Sequence, residues 1–311
     1  MSGHLSFRSA KAALARGENI TRHLREQLQR ETNTPAIIEM AYDLQAGTYI
    51  EWLNGHREFT ENYTAEMADI LNPECRDGDT ILDVGTGELT TMCYLANKLH
   101  ADFAELLAFD ISWSRLHCGL DFAARTLKPS SLPKLKVFVA DMTEVPLLSK
   151  SVDVSVSYHA LEPNGGRERA LLSELFRITR RKLMLFEPSY ERNNAEGRAR
   201  MDRLGYVRNL EWHALQLGGR VDEVVSLRHI DNPANPTFAF VITPPSSAAQ
   251  FQNEECSCFS DPGTDHALLK LESCYFSPER GVAYPIIEGI PVLRSSTAVL
   301  TSALDHASRE P

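Results

Sequence analysis

The stretch Ile81–Thr91, ILDVGTGELTT, is an apolar run that ends in a glycine-rich turn, a pattern typical of nucleotide-binding loops. A dinucleotide fingerprint requires a third glycine at position 90, where this chain has Thr90. A triphosphate-binding loop requires a Lys after its last glycine, and the stretch contains no Lys. Because both phosphate-binding interpretations lack a required residue, the turn predicts a nucleoside ligand that is bound without a phosphate cradle.

The sequence around this stretch alternates between short apolar runs and helix-like segments. The strand-like runs are TILDVGT, ELLAFDIS, KVFVADM, VDVSVSYHAL and KLMLFEPS, and the helix-like segments include LTTMCYLANKL, RLHCGLDFAARTL and RERALLSELFRIT. Further along, MDRLGYVRNLEWHALQLGG predicts a helix, and DEVVSLRHI and TFAFVITPP predict closing strands. The alternation predicts an α/β domain over residues 73–245, with a Rossmann-like, doubly wound and mostly parallel sheet.

Acidic side chains stand at the ends of the first three predicted strands, where ligands of a doubly wound sheet bind. Asp83 would place a carboxylate near a cationic amino-acid group, and Asp110 could accept both hydroxyls of a ribose. Asp141 could accept from an adenine amino group while Met142 packs on the ring. The alternative is that each Asp caps the helix that follows it. Three acids at three successive strand ends favour the nucleoside site.

These motifs resemble those of the class I S-adenosylmethionine (SAM) methyltransferases, and the resemblance covers roughly residues 60–245. It continues through residues 145–189, which are similar to that family's fourth strand, the following helix and the fifth strand. One departure is the missing glycine turn before the fifth strand, where RITRRKLMLF has Arg and Lys. The resemblance implies SAM as the cofactor, and it implies these cofactor-binding residues: Asp83, Gly85, Thr86, Gly87, Asp110, Ile111, Asp141, Met142, Ser157 and Tyr158.

Residues 1–72 are predicted to be mostly helical. Methyltransferases of the class often carry an N-terminal helical lid, so the resemblance implies that Tyr42, Gln45 and Tyr49 help to cover the cofactor, together with Tyr63. The alternative is an ordinary amphipathic helix whose tyrosines belong to the core.

Catalytic candidates follow the fourth and fifth predicted strands. Methyl transfer is an in-line displacement, and it needs a general base only if the nucleophile loses a proton in the transition state. His159 could be that base, or it could pack at the edge of the cofactor. Glu187 could orient a substrate amine or hydroxyl, or cap the next helix, and Tyr190 lies close to it in sequence. We expect no catalytic metal.

The net charge, the apolar runs and the cysteines of the whole sequence limit the class of protein and the partners that can be expected. The net charge of −10 argues against broad nucleic-acid binding. No apolar run reaches the roughly 18 residues of a membrane span, so no membrane association is expected. The six cysteines do not form the pattern of a secreted disulfide framework, and the N-terminus lacks the apolar segment of a secretory signal. These features favour a cytoplasmic protein, and a homodimer is compatible with them.

A linker is predicted over residues 246–255, a small β-rich unit over 256–298 and a polar tail over 299–311. The ending AYPIIEGIPVL resembles the zinc-ribbon-like domain of tRNA-methyltransferase activator proteins. That resemblance implies a unit that covers the flank of the cofactor domain, shapes the substrate pocket or mediates dimerisation.

Metal-binding members of that family have two close cysteine pairs. Here only one residue separates Cys256 from Cys258, and the second pair is reduced to Cys274. His266 could complete a tetrahedral zinc site, but the incomplete pairs favour a unit that has lost its metal and kept its packing.

Three hypotheses for the whole protein follow from these observations. The first is a SAM-dependent methyltransferase acting on a small biosynthetic molecule at an O, N or C atom. The second is a tRNA or protein methyltransferase. Against it, the position after the fourth strand reads SYHALEP rather than the N-P-P-aromatic motif that clamps an amine or amide nitrogen. The third is a non-catalytic SAM-binding scaffold.

Overall fold

The computed structural model describes residues 5–246 and 259–306. Its N-terminal part is helical, and the helices α1 to α5 are Phe7–Ala15, Ile20–Leu28, Pro35–Asp43, Thr48–Gly55 and Arg57–Leu71. The first three helices begin at polar N-cap residues, Ser6, Asn19 and Thr34, whose side chains accept a backbone N–H from the first turn. These caps explain why the Ala- and Leu-rich segments start where they do.

A seven-stranded sheet follows, with the order β3-β2-β1-β4-β5-β7-β6. Its strands β1 to β7 are Thr80–Val84, Glu105–Asp110, Leu135–Val139, Val152–Tyr158, Thr179–Pro188, Arg220–Ser226 and Thr237–Thr243. The first five strands run parallel, and β7 is antiparallel to both of its neighbours. The predicted α/β fold with a mostly parallel sheet is therefore confirmed.

The helices between and after these strands are α6 to α10, at Thr90–Ala96, Trp113–Thr126, Glu168–Ile178, Ala195–Leu204 and Leu210–Gln216. The segment predicted as one helix near residue 210 is two helices. Gly205 adopts a left-handed conformation, with φ of 70°, and ends α9. The fifth strand is not preceded by a glycine turn, and α8 runs directly into β5.

Alternating side chains of the strands fill two apolar cores, one on each face of the sheet. On β2, Leu106 and Ala108 belong to one core, and Leu107 and Phe109 belong to the other. Helix α5 packs into the first core through Met67. The second core extends into the C-terminal part of the chain.

That C-terminal part is an antiparallel sheet, whose strands β8 to β12 are Leu269–Lys270, Cys274–Ser277, Val282–Ile287, Ile290–Pro291 and Val299–Leu300. It covers the outer edge of β3, where Val139 pairs with Val292 in parallel and accepts the N–H of Leu293 at 2.9 Å. The rings of Phe138 and Phe259 lie 5.0 Å apart across this contact. The packing corresponds to the first of the three roles that the sequence left open for this unit.

The predicted zinc ligands fall only partly within the described residues. Cys256 and Cys258 lie outside them, Cys274 is a free thiol on β9, and His266 is exposed. Within residues 5–246 and 259–306, no group of three His, Cys, Asp or Glu side chains could hold a metal ion. In the same residues, no helix combines the length and the apolar character needed to cross a bilayer.

Candidate active site

The glycine turn after β1 brings the backbone close to the loop that follows β4. Gly85 and Gly87 have φ of 68° and 57°, in the left-handed region that favours glycine. A Cβ atom added at Gly85 would lie 2.6 Å from the Cβ of Ala160, so only glycine fits there. The turn is therefore a tight floor against which a flat or extended ligand can lie.

Two carboxylates are buried beneath this turn. Asp110 accepts the N–H of Gly87 and the N–H of Ser112, both at 2.9 Å. Burial raises its pKa, although these hydrogen bonds and the charge of Arg115 act in the opposite direction. Asp83 accepts the hydroxyl of Thr86 on Oδ2, while its buried Oδ1 has no partner. Burial raises the pKa of Asp83 to about 8.

The end of β3 supplies the third acid. Asp141 accepts the N–H and the hydroxyl of Thr143, at 2.9 and 2.7 Å, which hold its side chain in place. The methyl group of Met142 lies 3.4 Å from the Cβ position of Gly85. The three strand ends thus meet at one edge of the sheet, as parallel strands require.

Helices α3 and α4 form a lid over this edge. Glu88, which is completely buried in the glycine turn, accepts the N–H groups of Gly47 and Ile50 at 3.0 and 2.9 Å. These two bonds cap the start of α4. The guanidinium of Arg115 stacks against the rings of Tyr42 and Tyr49, 5.0 and 4.1 Å from their centroids.

A cavity of about 540 Å³ lies between the lid and the strand ends. Ten of the residues predicted as site residues line it: Tyr42, Tyr49, Gly85, Gly87, Asp110, Ile111, Asp141, Met142, Tyr158 and His159. Further aromatic and polar groups, including Trp52, Tyr63, Glu162 and Arg167, complete the wall.

His159 and Glu162 form a partly buried ion pair at the β4 end of the cavity. The His159 Nδ1 lies 2.8 Å from a Glu162 oxygen, and its Nε2 lies 2.7 Å from the hydroxyl of Thr237. Asn235 donates to the same Glu162 oxygen at 3.1 Å. Burial is the largest influence on the pKa of His159 and lowers it, but the charges and hydrogen bond of the nearby glutamates outweigh burial and raise the pKa overall.

Six predicted site residues do not line the cavity: Asp83, Thr86, Gln45, Ser157, Glu187 and Tyr190. Glu187 is completely buried, and it accepts the Ser157 hydroxyl at 2.9 Å and the N–H groups of residues 160–162 at 3.0 to 3.2 Å. Burial raises its pKa to about 7. Its carboxylate therefore supports the loop that carries His159, and both carboxylate oxygens already accept hydrogen bonds from that loop.

Tyr190 and Gln45 have other contacts outside the cavity. The ring of Tyr190 lies 4.3 Å from the guanidinium of Arg208, and its hydroxyl donates to Asp202 at 3.4 Å. Gln45 donates to the carbonyl of Ala41 at 2.7 Å within its own helical segment. Neither side chain is placed to touch a ligand in the cavity.

Sequence reasoning missed Glu88, Arg115 and Thr237. Two of these carried a signal. Glu88 is a charged residue directly after the second glycine of the glycine-rich stretch, and Arg115 is a cation on the apolar face of α7. Thr237 carried no signal, because a Thr in a β-branched strand is ordinary.

Part of the chain matches a known protein family. Residues 81–182, about a third of the chain, match the family described as a methyltransferase domain. No curated protein sequence matches the chain.

Several solved structures are similar to the chain. A chain from the complex between the Haloferax volcanii Trm112 methyltransferase activator and a proposed methyltransferase is 18% identical, with a TM-score of 0.52, covering 66% of this chain and 98% of that chain. A SAM-dependent methyltransferase from Aquifex aeolicus is 18% identical, with a TM-score of 0.43, covering 59% of this chain and 91% of that chain. Geranyl diphosphate C-methyltransferase from Streptomyces coelicolor A3(2) is 11% identical, with a TM-score of 0.46, covering 58% of this chain and 78% of that chain.

The fold, the acids at the strand ends and the match over residues 81–182 together support a class I methyltransferase domain. The family match supports a methyltransferase, the class for which the sequence predicts SAM as the cofactor.

The residues present fit this cofactor. The unpartnered Oδ1 of Asp83 is a buried acceptor beside the glycine turn, which suits a cationic amino group. The two glycines leave room that a Cβ would fill, and the turn offers no phosphate-binding Lys.

Proposed function

We propose that the protein transfers the methyl group of SAM to a small molecule held under the helical lid. One observation carries this proposal: the cavity of about 540 Å³ is bounded by the lid on one side and by the strand ends on the other. Cavities of this size are typical of small-molecule sites. A macromolecular acceptor would need an open groove, whereas here α3 and α4 cover the strand ends.

The residues that would hold the cofactor lie at the strand ends and on the lid. Asp110 would hold the ribose hydroxyls, and Asp141 and Met142 the adenine, while Tyr42 closes the site from the lid. Asp83 lies behind the glycine turn and would reach the amino group only if that turn shifted. Bound SAM supplies an electrophilic methyl group on a sulfonium. The aromatic lid excludes water and limits the motion of the acceptor, which favours in-line attack.

His159 is the candidate base for an acceptor that must lose a proton. Glu162 and Thr237 fix its ring, with Glu162 at Nδ1 and Thr237 at Nε2. In the neutral ring with its proton on Nδ1, facing Glu162, Nε2 accepts the Thr237 hydroxyl. The acceptor would have to replace that hydroxyl at Nε2 before the ring could receive its proton. The raised pKa of His159 moves the pH at which this neutral form becomes the major form upward from the ordinary value.

A tRNA or protein acceptor is the second candidate. The observation in its favour is the activator-like ending, which packs on the edge of β3 beside Asp141. Against it stand the covered cavity and the acidic net charge of −10.

Methyl-labelled SAM distinguishes the two acceptor classes. The protein is incubated with the label and with the low-molecular-mass, RNA and protein fractions of a cell extract. We expect labelled product in the low-molecular-mass fraction alone. We expect His159→Gln to lower turnover while SAM affinity is kept, with His100→Gln, an exposed histidine outside the cavity, as the matched control. Label confined to RNA or protein would refute the proposal.

A further inference from the structure

A second cavity, of about 490 Å³, lies on the other side of the lid. It opens between the helix pair α4 and α5 and the helix pair α6 and α7. Its walls are Ile50, Leu53, Asn54, Arg57, Glu61, Tyr94, Asn97, Lys98, Phe122, Arg125 and Thr126. Only Leu53 also lines the first cavity, so the two sites share the wall formed by α4.

The lining of this second cavity is positively charged, although the chain carries a net charge of −10. It contains three cations and a single carboxylate. That carboxylate, Glu61, is paired with Lys98. Within residues 5–246 and 259–306, neither Arg57 nor Arg125 has a carboxylate within ion-pair distance. Two guanidinium groups therefore border the cavity without an anionic partner.

The remaining polar groups of the wall are already bonded to one another. Asn97 donates to the carbonyl of Thr126 at 2.7 Å. The Thr126 carbonyl therefore already has a hydrogen-bond donor. Arg57 donates one N–H to Asn54 at 3.3 Å and keeps its other donors. The floor is apolar and aromatic, with the rings of Tyr94 and Phe122 stacked 6.5 Å apart.

We propose that this second cavity binds a small phosphate ester with an apolar or aromatic body. Guanidinium forks match the oxygens of a phosphate, and two of them without carboxylate partners favour a dianion over a neutral ligand. The aromatic floor suits the body of such a ligand. The shared α4 wall places the ligand against the lid. This site is independent of which acceptor the enzyme methylates.

Calorimetry on the full-length protein tests the site. The cofactor part of the first cavity is filled with S-adenosylhomocysteine, and phenyl phosphate is then titrated, with benzyl alcohol as the uncharged counterpart. Binding of phenyl phosphate in the acceptor part of the first cavity would not respond to the arginine variants described below. We expect saturable binding of phenyl phosphate and none of benzyl alcohol. The double variant Arg57→Gln/Arg125→Gln should weaken phosphate binding by about tenfold or more, because both charge-assisted hydrogen bonds are lost. Both side chains are exposed, so the variant should fold.

The matched control is Arg30→Gln, an exposed arginine between α2 and α3 that does not line the cavity. It should leave phenyl phosphate affinity unchanged. Equal affinity in the double variant and the wild type would overturn the proposal, as would the absence of saturable phosphate binding. Binding of RNA but not of phenyl phosphate, lost in the double variant, would assign the cavity to nucleic acid and would equally overturn it.

Discussion

The guanidinium of Arg115 lies 3.4 Å from the carboxylate of Glu88, and the two side chains are 1% and 0% exposed. Each also holds the lid: Glu88 accepts two backbone N–H groups at the start of α4, and Arg115 donates from Nε to the carbonyl of Tyr42 at 2.8 Å. The pair therefore connects the glycine turn of the cofactor site to the helices that cover it.

Removing the Glu88 carboxylate should loosen the lid. Glu88→Ala leaves Arg115 buried without its partner, and we expect the free energy of unfolding to fall by about 3–5 kcal/mol. Urea unfolding measures this, and calorimetry should show weaker binding of S-adenosylhomocysteine. The double variant Glu88→Ala/Arg115→Met should lose less than the sum of the single variants. Glu58→Ala, on the exposed surface of α5, should stay within about 0.5 kcal/mol of wild type. Additive losses would show that the pair is not coupled.

The ion pair between Glu162 and His159 should raise the pKa of His159 in the folded protein. The folded-state pKa of His159 is raised above its ordinary value of 6.5, so the pair stabilises the fold below that pH, and the contribution is lost as pH rises through the folded pKa. Glu162→Gln should lower the His159 pKa and shift the acidic limb of the pH–rate profile to lower pH. NMR titration of the ring follows the pKa without a substrate. An unchanged pKa in the variant would contradict the assignment.

Asp83 should make the protein less stable as pH rises. Its folded-state pKa is about 8, against an ordinary 3.8, so the folded state holds a proton that the unfolded chain releases. The free energy of unfolding should therefore fall between pH 5 and pH 8. Asp83→Asn should flatten this decline, and Asp69→Asn, an exposed residue, should not. Urea unfolding at a series of pH values decides, and a decline of equal slope in Asp83→Asn would rule out burial of the carboxyl.

The C-terminal unit should unfold together with the rest of the chain, because the second core runs through both. Tyr284 donates to the buried Asp261 carboxylate at 2.9 Å. Tyr284→Phe should lower the free energy of unfolding by about 1–3 kcal/mol, because a buried acceptor loses its donor. Tyr190→Phe should change it little. Calorimetric melting should show one transition in each protein. A second, separate transition in the Tyr284 variant would show that the unit folds on its own.

Local patterns were enough to predict the sheet and the floor of the site. The strand ends that carry Asp83, Asp110 and Asp141 could be placed because parallel strands put their carboxyl ends on one edge. The glycine turn could be assigned to a nucleoside ligand because it lacks the third glycine and the Lys that phosphate-binding loops require.

The rest of the site depends on contacts between distant parts of the chain. Glu187 looked like a substrate-binding residue because it ends a strand, but the amides after β4 surround it. Thr237 reaches His159 only because β7 inserts antiparallel beside β5, a pairing that no local pattern shows. Arg115 contacts Tyr42 and Tyr49 only because the lid packs against α7, and no local pattern shows this packing.

The central claim is that cofactor and acceptor share the cavity beneath the lid, and a crystal structure with S-adenosylhomocysteine bound tests it most directly. We predict that the adenosine contacts Asp110, Asp141 and Met142, and that the sulfur faces the space beside Tyr158 and His159 under an ordered lid. A sulfur atom that faces open solvent, with the lid helices displaced from Glu88 and Arg115, would contradict the account.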